Sequence, residues 1–147
     1  MRTDTAALGR ELLNRLIIVG SPRTNGRSAH LANMLFETCI EECPDDELAL
    51  APVSTLSVAG CTGCDACRDN IAKLAELGED AIGDDFAPCA IDDDMQEIYE
   101  LIDAADEITV VSPVYFAGPP SQLKALLDRL QPYYWTNARA EEKRPAV

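Results

Sequence analysis

Leu16-Ile17-Ile18-Val19-Gly20-Ser21-Pro22-Arg23-Thr24-Asn25-Gly26-Arg27-Ser28 decides how the chain is read. Four large apolar residues in a row predict a buried parallel strand. A polar loop with Gly and Pro follows, and a helical pattern then begins. Strand, tight loop and helix together present backbone N–H groups and a helix N-terminus to an anion. Ser21, Thr24, Asn25 and Ser28 add side-chain donors, and Arg23 and Arg27 add positive charge to a chain whose net charge is −14. The loop lacks both G-x-x-x-x-G-K-[ST] and G-x-G-x-x-G, which argues against a nucleoside triphosphate and a dinucleotide. Its hydroxyl and amide groups suit a single terminal phosphate; the alternative is an ordinary turn between strand and helix.

Outward from that stretch, hydrophobic periodicity and breakers set the remaining elements. Residues 4–14 predict a short helix or an ordered arm. The first helix runs from about Arg27 to Cys43, with Ala32, Phe36, Ile40 and Cys43 on one apolar face, and Pro44 ends it. Leu48 to Val53 reads as the second strand, interrupted only by Pro52. Residues 54–67 read as a loop at its carboxyl end, Ile71 to Leu77 as one or two helical turns, and Gly78 to Asp85 as an exposed acidic excursion. Asp92-Asp93-Asp94 opens the next helix, where acidic groups complement the macrodipole and cap free N–H groups; Met95, Ile98, Ile102 and Ala105 line its apolar face. Glu107 to Ser112 is the third strand, burying Ile108, Val110 and Val111. A long loop leads to a helix opened by Pro119 or Pro120, burying Leu123, Leu126, Leu127 and Leu130 and stopped by Pro132. Alternating strands and helices predict a parallel α/β sheet with helices on both faces. Pro145-Ala146-Val147 reads as the opening of a fourth strand, so the expectation is a domain cut near that point or completed by another chain.

A length of 147 residues, 47% hydrophobic and 26% charged, suits one globular domain. No apolar run is long enough to span a bilayer, and Met1 to Thr5 lacks the features of a signal peptide. A cytoplasmic location is expected. The acidic balance argues against a nucleic-acid backbone or an anionic membrane as partner.

In an open α/β sheet, ligands bind at the carboxyl ends of strands where the strand order reverses. With strands ordered 2-1-3, the loops after the first and third strands meet there. The second of these, Ser112 to Gly118, supplies Pro113, Val114, Tyr115 and Phe116, which suit a flat ring held by backbone hydrogen bonds and apolar contact. A phosphate at one loop and a flat heterocycle at the other describe flavin mononucleotide (FMN).

Gly20 to Ser28, Cys61-x-Gly63-Cys64-x-x-Cys67, Asp93-Asp94-Met95, Ser112 to Phe116 and Gln122 to Arg129 together resemble the flavodoxin-like NAD(P)H-dependent FMN reductases, closest to the branch of iron–sulfur flavoproteins. The resemblance covers about residues 16–147. It implies a flavodoxin-like doubly wound sheet of order 2-1-3-4-5, FMN between the two loops and a dimer that completes the flavin pocket. Ser21, Arg23, Asn25, Gly26 and Ser28 match the phosphate loop, and Pro113, Val114, Tyr115 and Phe116 the ring loop. Residues 1–147 then form a single FMN-binding domain, with a Cys-rich loop and acidic insertion at about 57–92.

Cys61, Cys64 and Cys67 place three thiolates within seven residues, compact enough for one loop to wrap a corner of a [4Fe–4S] cluster. Cys89 is the candidate fourth ligand, because it precedes Ala90-Ile91-Asp92 as the fourth cysteine does in the iron–sulfur flavoproteins. The departure is the gap: 21 residues separate Cys67 from Cys89, although loop-closure cost grows slowly with length. Zinc and bare thiols remain alternatives. Cys39 and Cys43, one helical turn apart, read as core residues.

The leading expectation is an FMN-dependent oxidoreductase that takes hydride from NAD(P)H and reduces a quinone, a nitro or azo compound or a one-electron carrier. No catalytic side chain is assigned, and His30 reads as a surface or capping residue. The alternatives are an iron–sulfur flavoprotein acting in electron transfer, and a flavin-free, Cys-rich zinc module with an interaction role.

Overall fold

The computed structural model describes residues 11–77 and 88–135. Its elements follow the order β1 (Asn14–Val19), α1 (Arg27–Glu42), β2 (Glu47–Pro52), α2 (Ala66–Leu77), α3 (Met95–Ala104), β3 (Glu107–Val111), α4 (Ser121–Asp128) and α5 (Gln131–Trp135). The three strands form one sheet in the order β2-β1-β3. Both pairings are parallel, with Ile17 opposite Leu50 on one side and Thr109 on the other. This is the flavodoxin-like α/β arrangement expected from the sequence. The expected opening of a fourth strand at Pro145 to Val147, the acidic excursion over residues 78–85 and the arm over residues 4–10 lie outside the described residues.

The central strand explains the layering. Leu16, Ile17, Ile18 and Val19 are all at most 4% exposed. Successive side chains on a strand point to opposite faces. Leu16 and Ile18 therefore join Ala51, Met95, Ile98, Tyr99, Ile102, Leu123 and Leu126 in one core, while Ile17 and Val19 pack with Ala29 and Ala32 of α1 in the other. A parallel sheet covered on both faces needs continuous apolar strands, and β1 supplies one.

The apolar stripe of α3 is buried as expected, with Met95, Ile98, Tyr99 and Ile102 inside and Ala105 behind them. Three other expected faces need correction. On α1 the buried positions are Ala29 and Ala32, Phe36 is half-buried, and Ile40 is exposed. On β3, Val110 is 46% exposed, because β3 is an edge of the described sheet. On α4, Leu127 is also exposed, while Leu123 and Leu126 are buried and Leu130 is half-buried.

Boundaries shift for local reasons. Pro52 does not interrupt β2; it is the last residue in register, opposite Val19, and Val53 N–H then donates to the Val19 carbonyl at 3.0 Å. A proline at the end of an edge strand removes no ladder bond. Helix α2 begins at Ala66 rather than Ile71, so Cys67 stands in its first turn. Pro132 does not simply stop a helix: α4 ends at Asp128, and Pro132 sits in the first turn of α5, where its missing N–H costs nothing.

The amino ends of the strands are tied by charge. Arg15 on β1 donates from Nε to Asp46 Oδ2 at 2.6 Å, just before β2, and from Nη1 to Glu107 at the start of β3. The hydrogen bond to Asp46 leads the effects that raise the Arg15 pKa. Among the described residues the carboxyl ends carry no such clamp, and they lead into the loops of the candidate site.

Candidate functional site

At the carboxyl end of β1, Gly20 donates its N–H to the Val111 carbonyl of β3 at 2.8 Å. The loops after β1 and β3 therefore leave side by side. A Cβ at Gly20 would run into the Leu123 side chain and stand 3.0 Å from Ser112 Oγ, so glycine is required for this close approach. This is where the strand order reverses, the usual ligand crevice of an open α/β sheet.

The first loop is shaped by Ser21. Its hydroxyl is buried, accepts from Arg23 N–H at 3.1 Å and donates to the Arg23 carbonyl at 3.1 Å. Ser21 therefore folds the loop on itself, a serine turn. Arg23, Thr24, Asn25 and Arg27 are exposed along it, and Ser28 is half-buried. Gly26 precedes α1 in an extended conformation, with no side-chain cap and no acidic residue in the first turn. The first N–H groups of α1 are thus left to an outside acceptor, beside two arginines.

The second loop is a tight turn closed by paired hydrogen bonds, Tyr115 N–H to the Gly118 carbonyl at 2.8 Å and Gly118 N–H to the Tyr115 carbonyl at 3.1 Å. Phe116 and Ala117 take left-handed φ values of 45° and 63°. Such residues cost about 1–2 kcal/mol each, and strain of this kind clusters at ligand sites. Gly118 is not the left-handed residue. Pro113 is half-buried, Val114 and Tyr115 are exposed, and Phe116 projects its whole ring into solvent. An exposed aliphatic and aromatic rim suits the face of a flat ring.

The cysteines occupy a separate wall. Cys61, Cys64, Cys67 and Cys89 all line one cavity of about 350 Å³, together with Arg129 and Trp135. Cys61 and Cys64 are exposed, and Cys67 and Cys89 are half-buried. Left-handed Gly63 (φ 66°) and Asp65 (φ 60°) bend the segment between the first three. Gly63 N–H points to Cys61 Sγ at 3.4 Å. The Ala66 N–H, then the Thr62 hydroxyl, lower the Cys64 pKa. Burial pushes the Cys67 thiol up, and the neighbouring Cys89 and Cys61 add to the shift. The large sequence gap before Cys89 is therefore closed in space. Cys39 and Cys43, half-buried at the end of α1, are not among the residues lining this cavity.

Arg129 holds this wall in place. Its side chain is 1% exposed. Nη1 donates to the Ala59 carbonyl at 3.1 Å and to Asp93 Oδ2 at 2.9 Å, and Nη2 to the Ile91 carbonyl and Asp93 Oδ1, each at 3.1 Å. One guanidinium thus grips the backbone two residues before Cys61 and two residues after Cys89. Asp93 also accepts from Ala59 N–H at 2.8 Å and Met95 N–H at 3.1 Å, and Asp94 accepts from Ser57 N–H at 2.6 Å. The expected capping by the acidic run is real at Met95, but the same carboxylates also fasten the cysteine loop. Burial opposes ionisation of Asp93; the bonds from Arg129, Ala59 and Met95 outweigh it and hold its pKa below the usual carboxylate value. A faint signal of this pair is present in the sequence. Arg129 lies three residues after Leu126 on the apolar stripe of α4, an odd place for an arginine without a buried partner.

Four thiols around one cavity are the donor set of an iron–sulfur cluster. The space exceeds what a single ion fills, and among the described residues no three His, Cys, Asp or Glu side chains converge tightly enough to hold one ion. Arg129 Nε is buried with no hydrogen-bond partner among the described residues. A buried donor left unpaired costs about 1–3 kcal/mol, and the sulfur atoms of a cluster and its thiolates are acceptors for it. The residues present therefore fit a cluster. The two loops at the switch point fit a phosphate and a ring.

The fold and this crevice define a flavodoxin-like α/β protein with a cysteine-lined annex. A profile of the NADPH-dependent FMN reductase family matches residues 13–147, and the chain belongs to that family. It is 39% identical over 112 residues to an iron–sulfur flavoprotein of Methanosarcina thermophila, covering 76% of this chain and 49% of the relative. Iron–sulfur flavoproteins of Methanocaldococcus jannaschii and Archaeoglobus fulgidus share 32% identity over 115 residues and 30% over 118, covering 78% and 79% of this chain and 50% and 44% of those proteins. The chain spans about half the length of the curated relatives it matches. Among the described residues, no helix is long and apolar enough to cross a membrane.

Proposed function

We propose that this chain is an FMN-dependent oxidoreductase of the iron–sulfur flavoprotein type, passing reducing equivalents from NAD(P)H to a small-molecule or protein acceptor. The observation that carries the reading is the meeting of Cys61, Cys64, Cys67 and Cys89 at one cavity in a chain that the family's profile matches over residues 13–147. When bound, FMN supplies the conversion between hydride and single electrons, and a [4Fe–4S] cluster supplies one-electron carriage.

In this reading the protein's own groups bind and orient. Ser21 shapes the phosphate loop; Arg23, Asn25, Gly26 and Ser28, with the first N–H groups of α1, hold the terminal phosphate. Pro113, Val114, Tyr115 and Phe116 meet the ring. Phe116 is too exposed to serve a lone domain well, and a second copy covering that rim makes the homodimer the working form. The four cysteines would hold the cluster. Cys61 and Cys64 are exposed to an approaching acceptor protein, and the net charge of −14 would steer a basic one. No side chain is asked to act as nucleophile or general base.

The test is the visible spectrum of the full chain purified without oxygen, with iron, acid-labile sulfide and flavin assayed on the same sample. Flavin bands, a broad iron–sulfur shoulder and about four iron and four sulfide per chain are expected for a [4Fe–4S] centre. Flavin without iron would reduce the protein to a simple FMN reductase. A protein that binds neither FMN nor iron on reconstitution would overturn the proposal.

A further inference from the structure

The geometry points to Arg129 as a positioning residue for the cluster, one that fixes both arms of its binding loop and raises its reduction potential with a buried positive charge. The inference rests on the cluster reading above. Three observations carry it. Arg129 lines the same cavity as the four cysteines. Its four Nη hydrogens are spent on two carbonyls that flank the outermost cysteines and on both oxygens of Asp93. Its Nε is buried and uncommitted among the described residues.

A purely structural arginine would need only those first four bonds. The placement adds an electrostatic consequence. A cluster held by four thiolates is anionic and gains a negative charge on reduction. A cation at its wall, shielded from water, favours the reduced form, and net charge, hydrogen bonds to sulfur and solvent exposure are the levers that set such potentials. Asp93, paired with Arg129 but not itself among the residues lining the cavity, offsets part of that charge. The pair thus acts on the potential with opposite signs, while acting on the fold with the same sign.

That difference in sign is the test. Arg129→Gln and Asp93→Asn are made in the full chain, reconstituted with iron and sulfide without oxygen. Iron and sulfide content, far-ultraviolet circular dichroism and an EPR-monitored redox titration are recorded. Arg129→Gln is expected to lower the potential, so that at a fixed poise the ratio of reduced to oxidised cluster falls about tenfold, equivalent to about 59 mV for one electron. Asp93→Asn is expected to shift it the other way, by less. Shifts of both variants in one direction, or no shift in either, would overturn the inference. Should Arg129→Gln fail to hold iron, Arg129→Lys decides with Asp93→Asn. A near-normal potential in an iron-loaded lysine variant, or loss of iron from it as well, beside a raised potential in Asp93→Asn supports the role; a lysine variant that holds iron at an unmoved potential beside an unmoved Asp93→Asn potential overturns it. A wild-type chain that takes up no iron sinks the cluster reading itself, whereas iron-loaded wild type with unmoved variants sinks only the role of Arg129.

Discussion

The cysteine loop hangs from one buried guanidinium and two carboxylates, whereas the loop after β3 is held by a single pair of backbone hydrogen bonds across Tyr115 and Gly118. The first is rigid because its ties reach far along the chain: Arg129 grips carbonyls 70 and 38 residues away. The second carries strain at Phe116 and Ala117 and projects its aromatic ring outward. On the function proposed above, the contrast fits two kinds of ligand. A cluster tolerates little movement of its four ligands, so its loop must be set before it arrives. A planar ring slides between surfaces, and a loop with a small stored strain can close on it.

The comparison can be broken at the rigid side first. Arg129→Met leaves Asp93 charged and unpaired in a half-buried site, and loss of one partner from a buried pair costs about 3–5 kcal/mol. Urea unfolding should show that loss, and a change below about 1 kcal/mol would mean the clamp contributes little. Acid probes the same clamp more gently. Because the folded-state pKa of Asp93 is lowered, its contribution is fully present above the unfolded value and is lost as pH falls through the usual carboxylate range, about 3.9, and below it. The difference in stability between the wild type and Asp93→Asn should therefore be flat through neutral pH and shrink only in that acid window; a difference that already fades near pH 6 would assign it to another group. The loop after β3 offers the smallest effect, of opposite sign. Ala117→Gly removes a left-handed penalty of about 1 kcal/mol, less what glycine loses in chain entropy. The isolated chain should gain a few tenths of a kcal/mol or more, and a loss in thermal unfolding would show that Ala117 makes contacts that outweigh its strain.

Much of the scaffold was legible because it rests on local periodicity. Leu16 to Val19 could only be a strand covered on both faces, and Met95, Ile98 and Ile102 recur at the spacing of one helical face. The misjudged positions share a cause. Val110, Ile40 and Leu127 have the right period, but a period tells which face a residue lies on and not what covers it. Pro52 misled because its place on the outer strand β2 was not visible in the sequence. In the candidate site, spacing singled out Cys61, Cys64 and Cys67 and the family resemblance added Cys89, and the four line one cavity. Arg129 was not singled out, since its acceptors at Ala59 and Ile91 are backbone atoms that any residue supplies. The left-handed pair Phe116 and Ala117 gave no warning either, because neither is a residue type that favours that conformation.

Ala59 and Ile91 both end on the Arg129 guanidinium, so the chain between them begins and ends at nearly one point. Such a span is a cassette. Its two attachment points are set by the scaffold, and lengthening the stretch between them costs only the slow logarithm of loop closure, about 0.6 kcal/mol per doubling. Related chains can therefore carry short or long inserts between the third and fourth cysteines without redesigning the sheet, and an engineer can exchange the segment between Cys67 and Cys89 while leaving the arginine to hold the ends together.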